Sequence, residues 1–131
     1  MLKNDSGAAI PVKGAQKDLR ASAGKTVESP VARLFENSKR CEEVVNLFSF
    51  FSNRTRFKIL CVLNEEDFSV SELSRLIGGK ISNVCQQLKI LTLAGFLDKR
   101  RRDKSIYYHL KDQRVRKLLQ YLYAEYVPKE P

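Results

Sequence analysis

Residues 97–110, LDKRRRDKSIYYHL, place five cations within the six positions from Lys99 to Lys104 and then pass directly into an apolar and aromatic run. A targeting signal or a solvated charge run sits in polar surroundings; this one lies between apolar flanks. Ile106, Tyr108 and Leu110 alternate onto one side, which is the period of a half-buried strand. FLDKRR reads as the partner strand, and the turn falls near Asp103-Lys104. The stretch is therefore expected to be a β-hairpin tied to a core at its base, with Arg100, Arg101, Arg102 and Lys104 at or beside its tip.

Working back along the chain, SVSELSRLIGG (69–79) reads as a short helix. Ser69 and Glu72 match the capping box S-x-x-E, and Gly78-Gly79 ends it. The next helix runs from about Ile81 to Ala94 and stops at Gly95. Its Ile81, Val84, Leu88 and Leu91 recur at three- and four-residue steps and are expected to face the core. SNRTRFKILCVL (52–63) starts a helix at Ser52 or Asn53, with Phe57, Leu60, Cys61 and Leu63 inward. Before it, Arg33 to Phe51 reads as one helix with Val44, Leu47, Phe48 and Phe51 in a stripe. After the hairpin, Arg114 to about Tyr126 is helical, with Val115, Leu118, Leu119, Leu122 and Tyr126 on one face and Pro128 closing it.

The order α-α-α-α-β-β-α describes a mainly α chain with a small β-hairpin. A helix-turn-helix followed by a basic hairpin is the layout of a winged helix-turn-helix. The organisation expected is a flexible N-terminal arm over 1–30, a single winged domain over 31–127 and a tail over 128–131.

Composition narrows the chemistry. With 131 residues and 43% hydrophobic content the chain suits one small domain, and 24 Lys and Arg against 15 Asp and Glu give a formal charge of +9. That balance favours an anionic partner such as nucleic acid or an acidic membrane surface. No apolar run is long enough for a membrane span, so no membrane partner is expected. Cys41, Cys61 and Cys85 are odd in number, widely spaced and without a CxxC pair, which argues against a disulfide framework. The single His109, the lack of a Gly-rich phosphate loop and the absence of paired carboxylates in an apolar context argue against an enzyme. No metal or other cofactor is expected.

The helix over 81–94 carries Ser82, Asn83, Gln86 and Lys89 on or beside the face opposite its apolar residues, with Gln87 alongside. Amides and hydroxyls on such a helix can hydrogen-bond base edges in a major groove. Lys80 and the cationic hairpin tip are suited to phosphates. The expectation is a double-stranded DNA partner, read by Ser82, Asn83, Gln86, Gln87 and Lys89 and held by Lys80, Arg100, Arg101, Arg102 and Lys104. The stripes Val44, Leu47, Phe48, Phe51 and Val115, Leu118, Leu119, Leu122 exceed what a compact winged core needs, so pairing with a second copy is expected to bury them, the alternative being that both stripes close over their own core. A two-fold dimer predicts an inverted-repeat site. The competing expectation is a degenerate winged helix that holds a partner protein and uses its charge only for solubility.

Residues 44–123 resemble the ArsR/SmtB family of bacterial winged-helix repressors. FSNRTRFKIL, SVSELSRLIG, SNVCQQLKILTLAGFL and RRRDKSIYYHL carry the resemblance through their order and spacing. It implies a homodimer that sits on operator DNA and represses transcription, commonly releasing when a metal, oxidant or sulfur species is sensed, and the expected location is the bacterial cytoplasm, in association with the nucleoid. The inducer here is unknown. Family members that sense metals through the third helix carry cysteines where this chain has Ser69 and Ser71. Those with a zinc site on the last helix use Asp and His where this chain has Asp112, Arg114, Glu125 and Pro128, so neither metal site is expected. Thiol-switch members pair a second-helix cysteine with one on the last helix. Cys61 matches the first, but Ala124 stands at the second, so a standard switch is broken unless Cys41 supplies a different partner; the alternative is that Cys61 is a small buried hydrophobe. Cys85 replaces the family's usual Ser, and it is either a thiol near the DNA whose oxidation blocks binding or an isosteric stand-in for Ser.

Overall fold

The computed structural model describes residues 29–130. The expected N-terminal arm lies outside them except for Ser29 and Pro30, as does Pro131. The chain divides into two units at Leu47/Phe48.

In the first unit the expected single helix is broken. Helix α1 spans Pro30–Glu36 and α2 spans Ser38–Phe51, the latter continuing across the division. Asn37 causes the break. Its backbone is extended, and its side-chain Oδ1 accepts from the Arg40 N–H at 3.1 Å, so the residue caps the start of α2 and cannot continue α1. Ser29 caps α1 in the same way, with Pro30 in the first turn, where its missing N–H costs nothing.

The second unit is a winged helix-turn-helix. Helix α3 spans Arg54–Glu65, a short strand β1 spans Phe68–Ser69, and α4 spans Val70–Ile77. Helix α5 spans Ile81–Leu93, strands β2 and β3 span Leu97–Arg102 and Ser105–Leu110, and α6 spans Gln113–Tyr126. Asn53, not Ser52, caps α3, through a 2.9 Å bond from the Arg56 N–H. The Ser69–Glu72 capping box is formed in both directions, and Gly78 turns the chain out of α4 at φ +75°. Asp112 caps α6 by accepting from the N–H groups of Arg114 and Val115.

Strand β1 is an element the sequence reading did not anticipate, because two residues are too few to show a period of two. It pairs antiparallel with β3 as Phe68↔Tyr108 and Ser69↔Tyr107, making a three-stranded sheet in the order β1-β3-β2. In the hairpin the register runs from Leu97↔Leu110 to Arg102↔Ser105. The turn residue Asp103 has φ +55°, a left-handed conformation that Asp tolerates better than most residues with a Cβ.

The core collects Ile59, Leu60 and Leu63 from α3, Leu73 from α4, and Val84, Leu88 and Leu91 from α5. Leu97 and Leu110 at the base of the hairpin and Val115 and Leu119 from α6 complete it, all fully buried. Phe50 meets Phe96 edge to face at 5.0 Å. Arg116 clamps three elements, donating to the carbonyl of Asn64 at 3.1 Å and to that of Leu110 at 2.6 Å.

Val115 and Leu119 do not belong to a dimer surface, because both close the protein's own core. Ile81 does not face the core. It sits at the first position of α5, ahead of the turns that pack, and is 54% exposed.

Candidate nucleic-acid interface

Helix α5 turns Val84, Gln87, Leu88 and Leu91 inward, so its outward row at three- and four-residue spacing is Ser82, Gln86 and Lys89. All three are exposed, and none has a side-chain partner among the described residues. A helix held by its apolar face with such a row outward can offer donors and acceptors to base edges without first breaking internal bonds. At its start, Lys80 occupies the cap position without a side-chain cap bond, and no acid stands in the first turn. The positive end of the helix dipole therefore adds to the lysine charge, a combination that favours an anion.

Gln87 corrects the reading of this helix. It is 8% exposed and cannot reach a groove. Its Oε1 accepts from Arg56 Nη1 at 2.8 Å and its Nε2 donates to Asn83 Oδ1 at 3.2 Å. Asn83 in turn donates from Nδ2 to Thr55 Oγ1 at 3.3 Å. Asn83 is thus exposed yet has both ends of its amide engaged. Arg56 also donates to the carbonyls of Phe50 and Ser49, each at 3.3 Å, and lies over the Phe50 ring. The result is a polar strut that fixes the orientation of α5 on α3. Sequence reasoning missed Thr55 and Arg56, whose partners Asn83 and Gln87 lie 28 and 31 residues away and leave no local signal.

The hairpin separates its cations by strand alternation. Arg100 and Arg102 fall on the side of Tyr107 and His109, where Asp67 receives them. Arg102 Nη2 lies 2.9 Å and Arg100 Nη1 3.9 Å from Asp67 Oδ2, and His109 Nδ1 lies 2.8 Å from Oδ1. Arg101 falls on the opposite side, paired across the strands with Ile106, and Lys104 sits at the turn. Neither has an ion-pair partner among the described residues. Asp67 and His109 were not foreseen as a pair, since they come from a loop and a strand 42 residues apart.

The three cysteines are free thiols; Cys85 is exposed, and Cys41 and Cys61 are half-buried. Burial pushes the Cys61 thiol above its ordinary pKa, despite an opposing contribution from a hydrogen bond with Tyr123. Cys85 lies near Tyr108, whose pKa is raised first by burial and then by the charge Cys85 would carry as a thiolate. Among the described residues no group of three His, Cys, Asp or Glu could hold a metal ion, and no helix is long and apolar enough to cross a membrane.

Residues 53–99 match the family described as "Bacterial regulatory protein, arsR family". The biofilm growth-associated repressor of Xylella fastidiosa (strain Temecula1) is 36% identical over 92 residues, covering 70% of this chain and 81% of that protein. The transcriptional activator HlyU of Vibrio cholerae is 29% identical over 93 residues, covering 71% of this chain and 86% of the relative. The crystal structure of the transcriptional repressor BigR from Xylella fastidiosa superposes with a TM-score of 0.65 at 34% identity, covering 72% of this chain and 96% of the other. With a family match over residues 53–99 and a 36%-identical relative covered over 81% of its length, the chain belongs to the arsR family of bacterial regulatory proteins and is a DNA-binding transcriptional regulator.

Proposed function

We propose that the protein is a homodimeric repressor that occupies an inverted-repeat operator in the bacterial cytoplasm, bound to the DNA of the nucleoid. The observation that carries this reading is the unpartnered outward row Ser82, Gln86 and Lys89 on a helix whose other faces are fixed by the core and by the Arg56–Gln87–Asn83 strut. A pre-oriented row of donors and acceptors reads sequence at low entropic cost, because little remains to be ordered on binding. Lys80, Arg101 and Lys104 supply phosphate contacts. Arg100 and Arg102 hold the wing's shape through Asp67 and add to its field. The single winged domain over 31–127 is retained in this reading.

Dimerisation is supported by apolar side chains left on the surface: Phe48 is 58% exposed and Tyr126 at the end of α6 is 78% exposed. Val44, Leu47, Phe51, Leu118 and Leu122 remain partly open or exposed and extend the proposed interface. Repression is favoured by the name of the 36%-identical relative. Of the thiols, Cys85 on α5 is the proposed point at which oxidation blocks DNA binding, a reading supported by its exposure.

Selection of bound duplexes from random sequence by the full-length chain, followed by footprinting and a promoter assay, tests the reading. It predicts enrichment of a two-fold symmetric site with half-sites about one helical turn apart, protection over both halves, and reduced transcription from a promoter overlapping them. Enrichment of an unpaired half-site would refute the dimer, and increased transcription would refute repression.

A further inference from the structure

The exposed Ile81 has no place in the packing of α5, where Val84, Leu88 and Leu91 are fully buried. Cys85, one turn further on, is also exposed. At 100° per residue the two lie about 40° apart on the flank of the Ser82, Gln86 and Lys89 row. They form a short apolar strip in cationic surroundings, with Lys80 immediately before Ile81 and Lys89 one turn after Cys85, both exposed. A second copy of this chain would bring like charges together over the strip. A partner that covers it must present an apolar group within an anionic frame. The major groove of duplex DNA does so with the 5-methyl group of thymine, set between rows of phosphates.

We infer that Ile81, with Cys85 beside it, reads thymine methyl groups in the operator and is a specificity-determining residue. This rests on the proposed DNA reading by α5 and names the base it selects there. Ser82 and Gln86 then supply the polar part of the recognition and Ile81 the apolar part.

The full-length chain is used to select a duplex from random sequence, and that duplex is remade with deoxyuridine for thymine, one position at a time, which removes only the methyl group. The parent protein is expected to lose about fourfold in affinity at one or two thymines per half-site, the factor that burying one methyl-sized group gives. Ile81→Gln is expected to bind both versions alike, with an unchanged melting temperature because the side chain is exposed, and Ile81→Leu to retain the fourfold loss. Equal binding of both duplexes by the parent, or persistence of the loss in Ile81→Gln, would overturn the inference while leaving DNA reading intact. If no sequence is enriched at all, DNA reading itself falls and the inference with it.

Discussion

Arg102 donates to Asp67 at 2.9 Å while its guanidinium lies over the Tyr107 ring, 5.0 Å from the centroid. The arginine thus spends part of its charge inside the protein, and the wing is shaped as well as charged by it. Asp67 completes the arrangement by taking His109 on its other oxygen.

The wing cations should therefore differ in their effect on DNA binding. Arg101→Ala or Lys104→Ala is expected to weaken binding to all duplexes and to flatten the slope of log affinity against log salt by about 0.9. Arg102→Ala should flatten it less, because Asp67 already offsets that charge. Asp67→Asn should steepen the slope by releasing two arginines and lower stability by about 1 kcal/mol, discounted for the exposure of the arginines. Titrations at several salt concentrations measure all four, and identical slopes for Arg101→Ala and Arg102→Ala would contradict the division.

Neighbouring glutamines on α5 should separate stability from selectivity. Gln87→Leu removes the acceptor of Arg56 Nη1 and the donor to Asn83. It is expected to cost about 1 to 2 kcal/mol in urea unfolding, since the half-buried Arg56 guanidinium loses its partner. Gln86→Ala should stay within about 0.5 kcal/mol of the parent and change which bases are preferred at its contact position. A selectivity change in Gln87→Leu as large as that in Gln86→Ala would mean that the strut is not merely supportive.

Apolar residues of the terminal helices should separate folding from assembly. Leu119 is fully buried, so Leu119→Ala should destabilise the fold by about 2 to 5 kcal/mol. Phe48 is largely exposed, so Phe48→Glu should retain the helical circular dichroism spectrum while shifting the proposed dimer to monomer in sedimentation. If Phe48→Glu sediments as the parent does, the interface lies elsewhere.

Tyr123 carries a pH prediction. Its hydroxyl donates to the Cys61 carbonyl at 3.2 Å, and its pKa is pushed up to about 12, chiefly by burial. A raised folded-state pKa favours the protonated phenol in the folded protein, so this contribution to stability is complete below pH 10 and is lost as the pH rises toward 12. Tyr123→Phe should cost about 1 kcal/mol at neutral pH and show a weaker decline in that alkaline window. The same helix pair shelters Cys61, whose raised pKa keeps it a thiol, so iodoacetamide should label Cys85 well before Cys61 in mass spectra. Peroxide should inhibit DNA binding by the parent more than by Cys85→Ser.

Much of the fold was legible because its determinants are local. The capping box at Ser69, the glycine turn at Gly78 and the alternation of Ile106, Tyr108 and Leu110 each lie within a few residues. What was not legible depends on partners distant in sequence. The inward turn of Gln87 answers to Arg56, and the division of the wing arginines answers to Asp67. Ile81 misled because an apolar residue in step with a buried stripe reads as buried, whereas the first turn of α5 projects beyond the core. Val115 and Leu119 misled in the opposite sense, since an apolar stripe does not reveal whether its own chain or a second copy covers it.

The claim that α5 and the wing read a specific DNA sequence is tested most directly by fluorescence anisotropy of the full-length protein on its selected inverted-repeat duplex and on a scrambled duplex of the same composition, at about 0.15 M salt. Binding to the selected duplex is expected to be about a thousandfold or more tighter than to the scrambled one, with the difference collapsing in a Ser82→Ala, Gln86→Ala double variant. Equal affinity for the two duplexes, at the nonspecific level of about 10⁻⁴ to 10⁻⁶ M, would contradict it.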